Sequence, residues 1–134
     1  YCKTRIINNV IFHGRKPSEE MPKYYAMADA MLITLKDEPV ISMTLPGKVQ
    51  SYMAAGKPII GAINGETKFV INKANCGFCT NADDAEGLAN CVERFIVCKN
   101  KASLGQNARD YYEAQFTKER FMGRLEQKLE KMKQ

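Results

Sequence analysis

No run of about 18 apolar residues occurs in the 134-residue chain, so nothing in it reads as a membrane span. The start, Tyr1-Cys2-Lys3, carries neither a Met nor the charged-then-apolar pattern of a secretory leader, and the chain is expected to be a piece of something longer. Neither G-x-x-x-x-G-K-[S/T] nor G-x-G-x-x-G occurs, which excludes a Walker A loop and a complete dinucleotide fingerprint. Histidine occurs once. His13 ends an apolar run beside Gly14 and reads as a hydrogen-bonding wall residue rather than a catalyst. There is no Asn-x-Ser/Thr sequon, and the five cysteines make an odd count, so a secreted disulfide scaffold is excluded. No repeat or low-complexity segment appears.

What is present is an ordinary globular balance. Hydrophobic residues at 45% and charged residues at 26% exclude disorder and a coiled-coil rod. The length suits one domain, residues 1–134, with a single core. The net charge of +5 is mild. Basic clusters carry acids too, as in Lys118-Glu119-Arg120, so they read as solvated helix faces and not as a nucleic-acid stripe.

Cys76-Gly77-Phe78-Cys79 matches C-x-x-C, but a redox pair usually opens a helix, and this one lies in a strand-like run. Cys91 and Cys98 stand seven apart on one predicted helix, about 10 Å along its axis, too far for one tetrahedral zinc. The thiols are expected to be buried and reduced, with no metal or cofactor.

Apolar runs alternate with helical patterns. Asn9–Gly14 predicts a first buried strand and Ala30–Leu35 a second, apolar on both faces. Ile59–Ile63 and Gly77–Thr80 predict a third and a fourth. Between them Thr44 is the expected N-cap, with Pro46 in the first turn, of a helix through Ala55 that Gly56 closes in left-handed conformation. A short helix is expected over Thr67–Asn75. From Asp83 the chain is helical, with stripes Ala85, Leu88, Val92, Phe95 and Leu104, Ala108, Tyr111, Tyr112. Thr117 caps a terminal helix over 117–134 with Phe121, Leu125, Leu129 and Met132 on one side. This order predicts an α/β domain built on a parallel sheet, its first strand–helix unit or units missing.

Ligands of such sheets bind beyond the carboxyl ends of the strands. Three loops leave those ends: Gly14-Arg15-Lys16-Pro17, Lys36 to Lys48, and Asn64-Gly65-Glu66-Thr67. In the second, Thr44-Leu45-Pro46-Gly47-Lys48 joins a small residue and an ammonium to a helix N-terminus. That is either a phosphate socket or a helix cap with a solvent lysine. Asp37 and Glu38 read as a solvated pair, or as acceptors for ribose hydroxyls or a metal. Glu66 is a first-turn acid or a ligand contact.

The strings Asn9–Gly14, Tyr24–Leu32, Leu45-Pro46-Gly47-Lys48 and Tyr52-Met53-Ala54-Ala55-Gly56-Lys57-Pro58-Ile59-Ile60, with Asn75–Phe78 and Asn107-Ala108-Arg109, resemble family-4 glycosyltransferases of the GT-B fold. The likeness runs from about Asn8 to Phe121. It is strongest to bacterial enzymes of surface-polysaccharide synthesis. It implies a Rossmann-like parallel sheet flanked by helices, the second, donor-binding domain of a cytoplasmic retaining transferase, at the inner face of the cell membrane. That enzyme moves a sugar from a UDP- or GDP-linked donor to a glycan or lipid-linked acceptor. The missing N-terminal domain would bring the acceptor, and the piece alone is expected to be inactive. The final helix is expected to lie partly on that absent domain. Carried over by position, Gly14, Arg15 and Lys16 line the base pocket, Thr44, Leu45, Pro46, Gly47 and Lys48 meet the diphosphate and sugar, and Ser51 approaches the ribose. Glu38 and Glu66 are further donor contacts. No catalytic residue and no metal is assigned, and nucleic acid is not expected as a partner. Met43 and Ser51 stand where many relatives carry glutamates. The alternatives are a non-catalytic nucleotide-binding module, a receiver-like signalling domain, and a GT-B sugar-nucleotide epimerase. The spacing of Asp37 and Lys57 is too short for a receiver, and the acids an epimerase needs are largely absent.

Overall fold

Ile59–Ala62 is buried along its whole length because it has a neighbour on each side. In the computed structural model, which describes residues 7–132, it is β2 of a three-stranded parallel sheet. β1 is Met31–Thr34 and β3 is Gly77–Thr80, in the order β1-β2-β3. Met31 aligns with Ile59, and Ile59 with Gly77. Parallel neighbours require crossover helices. These are α3 (Gly47–Ala54), preceded by the single turn α2 (Pro39–Ser42), and α4 (Gly65–Ala74). A 3-10 turn, Ser18–Glu20, leads into α1 (Met21–Met27) ahead of β1. After β3 come α5 (Ala85–Val97), α6 (Lys101–Gln115) and α7 (Lys118–Met132).

Strand side chains alternate between faces, and the core divides accordingly. Ile33, Ile59 and Ile63 pack with Val49 and Met53 of α3, Val70 and Ile71 of α4, and Ala108 of α6. Ile60 faces the other way, onto Cys91 and Phe95 of α5 and Leu104 of α6. Asp84 caps α5. Its carboxylate accepts from the Gly87 amide at 2.8 Å and from the Thr80 hydroxyl, and those two bonds, the hydroxyl's first, hold its carboxyl below the usual range.

α3 ends as expected. Gly56 has φ +64°, its amide donates to the Met53 carbonyl, and the Lys57 amide donates to that of Tyr52. The Lys57 ammonium reaches across to the end of α1, donating to the carbonyls of Ala26 (3.0 Å) and Ala28 (2.9 Å). α6 serves the ends of both crossover helices. Arg109 donates to the Ala54 carbonyl and Asn107 to that of Asn75, which holds the left-handed end of α4. The string shared with the resembled family, from Ala54 to Pro58 together with Asn107 and Arg109, thus closes helix ends.

Five expectations are corrected. Residues 9–14 form no strand. Val10, Ile11 and Phe12 are 46%, 75% and 76% exposed, because apolar character favours burial while a strand also needs a ladder partner, and β1 is paired with β2 alone. The described sheet therefore has three strands, not four. β1 is not covered on both faces: Leu32 is 57% exposed, as befits an edge strand. Thr44 is not the cap of α3. Pro46 holds that position, and the Thr44 hydroxyl donates back to the Ile41 carbonyl at 2.9 Å. The buried stripe of α5 runs through Cys91 and Phe95, while Ala85 and Val92 are exposed. α4 also starts two residues earlier than expected, at Gly65. Thr117 does cap α7, accepting from the Arg120 amide at 3.3 Å. α7 keeps Phe121, Leu125, Leu129 and Met132 exposed. Tyr1, Cys2, Lys3 and residues 133–134 lie outside the described residues.

Candidate functional site

A strand that runs parallel to its neighbours delivers every following loop to the same end of the sheet. The loops after β1, β2 and β3 meet there. So do the starts of α3, α4 and α5, since each crossover helix runs back against the strands.

The loop after β1 carries the segment Thr44–Lys48, for which a phosphate socket is one expectation. Pro46, with φ −60° and ψ 139°, turns the chain into α3, and no side chain caps its first amides. The Val49 amide is used within the turn, donating to the Pro46 carbonyl at 2.9 Å. Gly47 and Lys48 are exposed, and an added carbon on Gly47 would meet nothing within 4 Å. Leu45 is half-buried against the core and anchors the loop. Ser51, one turn into α3, is exposed and donates its hydroxyl to the Gly47 carbonyl at 3.3 Å. This end of α3 is open backbone with an ammonium beside it, an arrangement that suits an anion.

The segment after β2 holds that loop. Thr67, buried in α4, donates its hydroxyl to the Thr44 carbonyl at 3.1 Å. Gly65, with φ +66°, lies so close to the Ser42 carbonyl that no side chain would fit. Asn64 stands at the cap position of α4 but makes no cap bond. Its amide donates to Asp37 Oδ1 at 2.8 Å, and its Oδ1 accepts from the Ala82 amide at 3.1 Å. Asp37 in turn donates its own amide to Asp83 Oδ2 at 3.3 Å. Asp37 is therefore engaged in loop-to-loop bonding and not a free solvated acid. Sequence reasoning saw in Asn64 only a turn. The signal available was an Asn-Gly pair directly after a buried strand.

The other predicted residues are placed as follows. Gly14 has φ +70°, and Arg15 and Lys16 are exposed. Those two basic residues line a cleft of ≈ 650 Å³ with Pro17, Ser18 and Met21, whose walls include none of residues 44–51. The His13 and Tyr24 rings lie 5.4 Å apart between centroids, tilted at 60°. Glu38 is exposed and occupies the cap position of α2 without a cap bond. Glu66 is exposed in the first turn of α4. Met43 is 81% exposed. A second cleft of ≈ 370 Å³, not foreseen from the sequence, lies at the ends of β1 and β2 against the start of α5, between Thr34, Lys36, Ala62, Asp84 and Leu88.

Cys76 lies at the opposite end of β3 and Cys79 within it. Cys76 is fully buried, and burial pushes its thiol up to about 12. Cys79 is pushed to about 12 for the same reason, so neither is a thiolate at neutral pH. Among the described residues no group of three His, Cys, Asp or Glu side chains is placed to hold a metal, and no helix is long and apolar enough to cross a membrane.

A parallel sheet whose strand-end loops present an uncapped helix start is common to many nucleotide-binding proteins, and family comparison decides among them. The family model described as glycosyl transferases group 1 matches residues 2–97. The chain belongs to that family. A solved structure of a sucrose-phosphate synthase from Thermosynechococcus elongatus is similar, with a TM-score of 0.78 and 26% identity over 96% of this chain. The chain spans 32% of that protein. No curated protein matches. A group 1 glycosyltransferase domain of GT-B type accounts for the order of strands and helices.

Proposed function

We propose that this group 1 domain binds the nucleotide-sugar donor of a retaining hexosyltransferase, and that the parent enzyme passes the sugar to a glycan or lipid-linked acceptor. The observation that carries the reading is the uncapped start of α3, with Gly47 unobstructed and Lys48 exposed beside it. The N–H groups of Gly47 and Lys48 and the Lys48 ammonium would face the donor diphosphate. Negative charge grows on that diphosphate as the sugar departs, and fixed donors at a helix end stabilise it without reorganising. The Ser51 hydroxyl, one turn along, would meet the ribose. Arg15 and Lys16 would border the base, with Glu38 and Glu66 as further donor contacts. The donor is UDP- or GDP-linked, and no further cofactor takes part. The domain alone transfers nothing, because the acceptor half of the cleft belongs to another domain. The parent works in the cytoplasm at the inner membrane face, in bacterial surface-polysaccharide synthesis, a role in which lipid-linked acceptors are met at the bilayer.

The test is thermal melting with UDP, GDP and acetyl phosphate. A nucleoside diphosphate at about a hundred times its dissociation constant adds about 2.7 kcal/mol of stability. Stabilisation by UDP or GDP, and not by acetyl phosphate, is expected. A response to acetyl phosphate alone, or to none of the three, overturns the reading.

A further inference from the structure

We propose that Asn64 is a positioning residue that fixes the donor loop, holding the start of α3 in the form that receives a nucleoside diphosphate; the proposal rests on the donor-binding reading above. The segment 37–46 hangs between β1 and α3, and three residues at the start of α4 grip it at three points. Asn64 holds its beginning through Asp37 (2.8 Å), Gly65 packs on the Ser42 carbonyl, and Thr67 holds its end through the Thr44 carbonyl (3.1 Å). The grip is itself braced. Asn64 Oδ1 accepts from the Ala82 amide at 3.1 Å, so one side chain ties the loop after β1 to the loop after β3. Asp83 repeats the tie from the other side by accepting the Asp37 amide.

Asparagine at a helix cap position ordinarily bonds the amides of the next turn. Here that bond is absent, and both ends of the side chain are spent on neighbouring loops. The geometry needs one donor and one acceptor on the same short planar group. Asparagine supplies both, whereas aspartate would set a second carboxylate against Asp37. Asp37 and Thr44 belong to one gripped segment, and three residues separate Thr44 from Lys48. Loosening the grip on Asp37 acts on the amides of Gly47 and Lys48 through that segment's backbone, with no contact between Asn64 and the ligand.

The experiment titrates UDP and GDP against the wild-type chain, Asn64→Ala, Asn64→Asp, the swapped double variant Asn64→Asp/Asp37→Asn, and Asn107→Ala. The last removes a comparable bond at the far end of α4 and controls for general destabilisation. Ligand-free melting is recorded for each. Asn64→Ala and Asn64→Asp are expected to weaken the nucleoside diphosphate about tenfold, Asn107→Ala to leave it unchanged, and the double variant to recover most of the loss by reversing donor and acceptor. Wild-type-like affinity in Asn64→Ala, or no recovery in the double variant, overturns the positioning role while leaving the donor reading intact. Absence of UDP and GDP binding by the wild-type chain overturns the donor reading and the positioning role with it.

Discussion

Gly105 of α6 packs its α-carbon against the backbone carbonyl of Gly56, the residue that ends α3, leaving no room for a methyl group between them. α6 lies against α3 at this point, and Arg109, one turn on, donates to the Ala54 carbonyl. Gly105→Ala is expected to lower stability by about 1–3 kcal/mol, the usual cost of overpacking a closed contact. Gly123 in α7 has open space around it. Gly123→Ala is expected to raise stability by about 0.5–1 kcal/mol, because a mid-helix glycine carries only its entropy cost. Urea titration of both variants checks the opposite signs. Equal effects would mean that the α3–α6 approach is looser than described.

Lys57 invites a phosphate-binding role, being basic and next to a glycine. Its ammonium is instead committed to the carbonyls of Ala26 and Ala28, where a cation also meets the negative end of α1. Lys57→Met is expected to cost about 1.5–3 kcal/mol, the range for hydrogen bonds to a charged group. It is expected to leave UDP and GDP affinity untouched. A tenfold loss of affinity at unchanged stability would move Lys57 from scaffold to site.

The contrast between Lys57 and Asn64 shows what was legible in the sequence. Runs such as Ile59–Ala62 announce themselves because a central strand is apolar on both faces, and its flanking Gly56 marks a helix end by conformational need. The start of α3 was legible, two residues out, because Pro46 and Gly47 mark a helix beginning by their backbone needs. The strand expected at 9–14 failed because apolarity is local and pairing is not: Ile11 and Phe12 carry the composition of a strand with no ladder beside them. Val92 failed for a smaller reason. Cys91, one position earlier, packs on Ile60 of the sheet, so the buried stripe is turned by one residue from the Val92 register. The Asn-Gly pair marked a turn, but the bonds of Asn64 were not legible because its partners, Asp37 and Ala82, are 27 and 18 residues away in sequence.

The thiols of Cys76 and Cys79 set the alkaline side of the stability profile. Burial, the larger cause in both, raises each from an ordinary 9.0 to about 12. Above pH 9 the unfolded chain releases both protons while the folded chain keeps them, so the unfolded state binds fewer protons and stability falls with rising pH. The loss is expected to begin near pH 9 and to continue toward pH 12. Cys76→Ala/Cys79→Ala, compared with the parent in urea titrations across that range, should flatten the slope. In the native protein neither thiol should react with iodoacetamide at pH 8, while both react in urea. Rapid native alkylation at Cys76, whose thiol donates to the Ile71 carbonyl at 3.6 Å, would contradict its burial.

The strongest discrimination falls on Gly47, where folding and binding make opposite demands. Nothing lies within 4 Å of a carbon added there, so the fold has no objection to Gly47→Ala, and stability should hold or rise slightly. A phosphate seated on the first amides of α3 would occupy that same space, and the methyl would push it away. Gly47→Ala is therefore expected to weaken UDP or GDP binding by tenfold or more, about 1.4 kcal/mol for each decade. Lys48→Ala acts through charge alone. It is expected to weaken binding by about fivefold at low salt and by less at high salt, since an exposed ammonium is screened within about 10 Å at 0.1 M. Isothermal titration at two ionic strengths separates the two causes. A steric block persists in salt and a lost charge fades. If Gly47→Ala binds as well as the parent, the diphosphate does not sit at the start of α3, whatever else the domain holds.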